Sequence, residues 1–142
     1  MIDKKDKQII DILLKSGRES SSSISDKLGM SVPTVIDRIK KMQDTNIISG
    51  FKAVVDYKSI GLKVSALITV MSESSDNYSE VVNKSLETKE VLKCYATTGS
   101  GSHVLIVNTA DTDSLEKILR KIQSWPGVKR TETQIILSSH KN

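Results

Sequence analysis

The chain has 142 residues, 37% of them apolar, with a net charge of +4 and a pI near 9.1. That is enough apolar material for one ordinary domain or two small ones with real cores, and it excludes a disordered chain. No apolar run approaches the roughly 20 residues of a membrane span, and the charged start MIDKKDK lacks the apolar stretch of a signal peptide, so a cytoplasmic protein without a membrane partner is expected. Residues 1–50 carry nine Lys or Arg against seven Asp or Glu, and residues 51–142 carry twelve against ten. Any recognition of a polyanion therefore has to come from local placement rather than from bulk charge.

From Asp3 to Thr45 the apolar spacing is helical. Ile9, Ile10, Leu13 and Leu14 mark a first helix, Ile24 and Leu28 a second, and Val35, Ile39 and Met42 a third at i, i+4 and i+7. The run Ser20 to Ser23 is read as the cap of the second helix, because a serine oxygen accepts the free amides of a first turn. A flexible serine linker is the rival reading. From about Ile47 the pattern changes, and IISGFKAVVDY reads as a short hairpin or extended connector turned at Ser49 and Gly50.

Beyond Gly61 the order is strand, helix, strand, strand, helix, strand. VSALITVM alternates, and Tyr78, Val81, Val82 and Leu86 form one helical stripe. VLKCYATT and HVLIVNT flank a glycine turn, and Leu115, Ile118, Leu119 and Ile122 line a second helix opened by Asp113, with Glu116 as its capping-box partner. WPG ends that helix, and VKRTETQIIL supplies the last strand. Such a βαββαβ order folds as a four-stranded antiparallel sheet with both helices on one face, the ferredoxin-like arrangement. The expected fold class is α+β: a winged-type helix-turn-helix over 1–50, a strand linker over 51–61, and the ferredoxin-like domain over 62–142.

One sheet face has no helix. If Val64, Ala66, Ile68 and Val70 face the helices, Leu67 and Met71 point away; if Leu92, Cys94 and Ala96 face inward, Val91 and Tyr95 do not. Leu67, Met71, Val91 and Tyr95 make that face too apolar to stay wet, and the same face of a second copy is the simplest cover, with the N-terminal domain as the other. The single Cys94 can form no internal disulfide and has no Cys or His at metal-ligand spacing, so it is read as a small apolar packing residue, with no metal or cofactor implied.

The stretch LGMSVPTVIDRIKKM, residues 28–42, places a glycine, a helix-starting serine and an early proline ahead of a short amphipathic run. A helix, a tight turn at Gly29 and Met30, and a helix capped by Ser31 is helix-turn-helix geometry, in which the second helix enters the major groove. The buried stripe turns Thr34, Asp37, Arg38 and Lys41 outward. Arg38 has the donors to read a guanine edge, Thr34 the reach for a base edge or thymine methyl, and Lys41 the charge for a phosphate. An ordinary solvated helix face is the plain alternative, which the trihelical frame disfavours.

These residues resemble the Lrp/AsnC, or feast/famine, transcriptional regulators. The resemblance runs through IDKKDKQIIDILLKSGR, ISDKLGMSVPTVIDRIKKMQDTNII, the turn TTGSGSH and PGVKRTET, and covers nearly the whole chain. It implies a cytoplasmic dimer, often assembled to an octamer, that binds palindromic double-stranded DNA operators and senses an amino acid. Carried over by position, groove reading falls on Val32, Pro33, Thr34, Asp37 and Arg38, with the capping Ser31 added to the DNA-binding set, and the effector turn on Gly99, Ser100, Gly101 and Ser102, with Thr133 nearby. Relatives often carry an acid where this chain has Ser102 and a bulkier residue where it has Gly101. A serine in place of a carboxylate weakens any grip on an effector's ammonium group.

Two other classes share the architecture. A siroheme-decarboxylase-like enzyme would need histidine and arginine around a tetrapyrrole, whereas the chain holds only His103, read as a surface or edge residue, and His140 near its end. An architectural DNA-compacting protein would use the same basic helix with little sequence preference.

Overall fold

The computed structural model describes residues 1–73 and 78–141; residues 74–77, after the first strand, and residue 142 lie outside the described residues. By its internal contacts the chain divides into two units, Met1–Val54 and Val55–Asn142.

The first unit has three helices, α1 (Lys4–Lys15), α2 (Ser21–Leu28) and α3 (Val32–Asp44). Their stripes meet in one small core in which Ile9, Ile24 and Val35 are fully buried and Met42 nearly so, with Ile10, Leu13, Leu28 and Ile39 packed around them. Burying each such side chain contributes about 1.5–3 kcal/mol, which is what holds helices too short to persist alone. Leu14 departs from the expected stripe and is exposed, because the face of α1 is set by Ile9 and Leu13 and the next residue turns away. Ser20 does cap α2, accepting from the Ser23 amide at 3.0 Å.

After α3 the expected strand linker is not a strand. Residues 49–56 carry no regular structure, and Tyr57–Ile60 form a short 3-10 helix ending at Gly61. Two short extended segments make a stable ladder only against a neighbour, and this single chain offers them none among the described residues.

The second unit runs β1 (Val64–Ser72), α4 (Tyr78–Glu87), β2 (Val91–Ala96), β3 (His103–Thr109), α5 (Thr112–Gln123) and β4 (Val128–Ile136). The sheet order is β2-β3-β1-β4, every pairing antiparallel, as the ferredoxin-like reading requires. Ala66, Ile68, Val70, Leu105 and Val107 lie beneath Val81, Leu115, Ile118, Ile122 and Trp125 in one core. The start of α5 differs from expectation in detail: its cap is Asp111, whose carboxylate accepts from the Ser114 amide at 2.8 Å, and Glu116 pairs with Arg120 instead of closing a capping box. Two aspartates in one turn compete for one cap, and the one in extended backbone outside the helix takes it.

Two corrections concern the helix-free face. Val91 does not belong to it. The β2–β3 register shifts between Val91 and Lys93, so the alternation skips a step: Val91 and Cys94 both pack on the helix-side core, while Leu92 is 42% exposed. Met71 lies on the outer face beside a second irregularity, between Met71 and Ser72, and is already buried within the chain. Leu67 and Tyr95 do face outward, and the register joins them to Ile106 and Val104 of β3.

Candidate nucleic-acid interface and effector turn

The turn between α2 and α3 is built by three adjacent residues. Gly29 ends α2 in the left-handed region at φ 62°, a conformation costly to any residue with a β-carbon. The amide of Met30 then donates to the Ser25 carbonyl at 3.1 Å, and the Ser25 hydroxyl donates back to the Met30 carbonyl. Ser31 caps α3 through the Thr34 amide at 3.2 Å, with Pro33 in the first turn, where its missing donor is not needed. The turn is thus closed by local bonds, and the direction of α3 follows from them.

The cap Ser31 is exposed, as are Val32, Pro33, Thr34, Asp37 and Lys41 on α3. The Thr34 hydroxyl lies 2.7 Å from that of Ser31, and Lys41 pairs with Asp37 at 3.1 Å. An exposed i, i+4 pair of this kind is worth a few tenths of a kcal/mol and yields readily to a stronger partner. Ile36, 52% exposed, and Lys40 join Val32 in a further outward stripe that the sequence reading passed over. Its signal was present in the sequence: Ile36 is an apolar residue outside the buried Val35–Ile39–Met42 stripe.

Arg38 is placed differently from the expectation. Its guanidinium does not project free from α3: Nη1 donates to Asp3 Oδ2 at 2.7 Å and to Asp6 Oδ1 at 3.0 Å, at the N-terminus of α1. The Arg38 bond holds the Asp3 carboxyl below its usual range, and the two carboxylates raise Arg38 further.

The glycine turn at the other site joins β2 to β3. Thr97 and Ser102 close it with a 2.9 Å backbone bond, Gly99 takes φ 104°, and Ser100 stays exposed. The Ser102 amide donates to the Val70 carbonyl at 2.9 Å, which ties the turn to β1. Gly101 lies so close to β1 that a β-carbon there would overlap Thr69 Cγ2. The Ser102 hydroxyl is shared with Ser72 Oγ at 2.9 Å and His103 Nδ1 at 2.7 Å.

The register sets Thr133 opposite Ile68, on the helix side of β4, whereas Gly101 contacts Thr69 on the other side, where Glu132 is the cross-strand partner. The structure therefore brings Gly99, Ser100, Gly101 and Ser102 together but does not put Thr133 against the glycine. His103 also corrects an expectation. It is fully buried, its ring 4.4 Å from that of Tyr78, and desolvation lowers its pKa below 6.5. Strand parity decides this, because His103 shares the inward face with Leu105 and Val107. A separate hollow of about 410 Å³ sits at the opposite end of the sheet, bordered by Leu62, Leu92, Ile118, Lys89, Lys117 and Lys121.

Residues 2–49 match the family model described as winged helix-turn-helix DNA-binding, and residues 63–142 match the Lrp/AsnC ligand binding domain. The chain is 34% identical to the HTH-type transcriptional regulator FL11 of Pyrococcus horikoshii over 99% of its length and 92% of the relative's. It is 32% identical to the regulatory protein AsnC of Haemophilus influenzae, over 97% of this chain and 93% of that one. The solved structure of E. coli AsnC superposes with a TM-score of 0.85 at 30% identity, covering 98% of this chain and 94% of that one. With both halves matched in order, and a turn and sheet built as the residues dictate, the chain belongs to the Lrp/AsnC family of transcriptional regulators.

Proposed function

We propose that this regulator binds palindromic operators as a dimer or higher oligomer, two copies of α3 entering the major groove at half-sites about one helical turn apart. The observation that carries the reading is the locally closed turn from Gly29 to Ser31, which presents the first turn of α3 with Ser31, Val32, Pro33 and Thr34 uncovered. Thr34, Asp37 and the Val32–Ile36 edge have the chemistry for base edges and thymine methyls, and Lys40 and Lys41 for phosphates. Assembly is supported by the outer sheet face, where Leu67, Val104, Ile106 and Tyr95 leave apolar surface without a cover among the described residues of the second unit.

An amino-acid effector at Gly99 to Ser102 is the companion reading, supported by the match to a ligand-binding domain and by a turn whose glycines admit close approach to backbone amides. With the Ser102 hydroxyl engaged by Ser72 and His103, an effector's ammonium group needs another acceptor. The tetrapyrrole-enzyme reading is disfavoured at His103, which is enclosed in the core, and is left with His140 near the end of the chain. Selection of bound fragments from random DNA tests the proposal. A palindromic consensus is expected, and recovery of fragments without any shared sequence would favour DNA compaction instead.

A further inference from the structure

We propose that Arg38 is a positioning residue for DNA recognition: it fixes α3 against the N-terminus of α1 through Asp3 and Asp6 and does not itself read a base. The inference rests on the DNA-binding reading above and assigns a role within it.

The two aspartates are locked to each other by bonds that do not involve Arg38. The Asp6 amide donates to Asp3 Oδ1 at 2.9 Å and the Asp3 amide to Asp6 Oδ2 at 3.2 Å, a reciprocal capping box. That leaves one oxygen on each carboxylate, and Nη1 of Arg38 takes both. All four carboxylate oxygens are then engaged. Holding two carboxylates this close without a cation between them is unfavourable, because like charges in one site repel. Arg38 supplies that cation from a position 35 residues further along the chain.

The helix geometry agrees. Arg38 follows buried Val35 by three residues and precedes buried Met42 by four, so it stands at the rim of the buried stripe, while Pro33, Asp37 and Lys40 occupy the outward face. The Asp6 side chain is only 12% exposed and that of Arg38 29%, so the bond is partly withdrawn from water and from salt screening. With Nη1 committed to both carboxylates, a base edge is left with Nη2 and Nε alone, on a guanidinium whose plane and reach the two charge-assisted bonds have already set. A tether from the middle of α3 to the N-terminus of α1 sets the angle of the recognition helix in the bundle, and small angular errors displace every contact along it.

The test is a double-mutant cycle in the full-length protein: Arg38→Gln, Asp3→Asn with Asp6→Asn, and all three together, each measured against the operator recovered by selection. Arg38→Gln is expected to bind about tenfold more weakly, with base-substitution penalties and salt slope kept, and Arg38→Lys to regain part of the loss. In the Asp3→Asn/Asp6→Asn background, Arg38→Gln should cost nothing further. Full cost in that background, with a slope shallower by about 0.9, makes Arg38 a phosphate contact and overturns the proposal. Lost discrimination at one base pair makes it a reader and overturns it equally, as does unchanged affinity in a folded Arg38→Gln protein. If Arg38→Gln does not fold, the same comparison with Arg38→Lys decides, because its loss should vanish when both aspartates are neutral. Failure of the wild-type protein to select any DNA would refute the DNA-binding reading itself, a separate result.

Discussion

Nδ1 of His103 lies 2.7 Å from Oγ of Ser102, so the last residue of the glycine turn is bonded to a ring buried in the core. Desolvation lowers the folded-state pKa of His103 below the unfolded 6.5. The folded protein therefore binds fewer protons between those two values, and stability rises with pH across that window. The contribution is complete above about 6.5 and lost as pH falls through it toward the folded pKa. Urea unfolding at stepped pH should show this rise, absent in His103→Phe; a flat wild-type profile contradicts it.

Gly101 is held against Thr69 and the Val70 carbonyl. Gly101→Val should push the turn off β1, stretch the Ser102–Val70 bond and destabilise the second unit by about 1–3 kcal/mol. Ser100→Val, at an exposed position, should cost less than about 0.5 kcal/mol. Equal effects of the two in thermal unfolding would mean the close approach is not needed.

The register shift in β2 gives a contrast that simple alternation reverses. Val91→Ala removes two methyl groups packed on the core and should cost about 1–3 kcal/mol, and Leu92→Ala distinctly less. Chemical denaturation of both variants checks the order. A larger loss for Leu92→Ala would restore the unshifted register.

Leu67 sits at the centre of the outer face, between Ile106 and Gln134. If a second copy covers that face, Leu67→Asp places an unpaired charge in the interface and should shift sedimentation of the full-length protein to a smaller species. A wild-type monomer, or a variant sedimenting like the wild type, contradicts the assembly.

What the sequence made legible was local. Glycine, serine and proline in adjacent positions declared the α2–α3 turn because each relieves a steric or hydrogen-bonding cost that other residues cannot. Alternation likewise declared β1 and β3. Features decided at a distance were not legible. The partner of Arg38 depends on where α1 ends up, which no spacing within α3 encodes. The shift after Val91 leaves no mark, since Val, Leu, Cys and Tyr suit either face, and His103 reads as an edge residue until its parity with Leu105 is fixed. The linker's own residues suit a strand, yet a strand is defined by its neighbour, and residues 49–56 have no regular structure.

The central claim, that the first turn of α3 reads DNA, is tested most directly by repeating the fragment selection with Thr34→Gln. Gln is suited to pair with an adenine edge, so the account predicts a consensus changed at one position in each half-site and preserved elsewhere. A consensus identical to that of the wild type, from a variant that still binds, would contradict it.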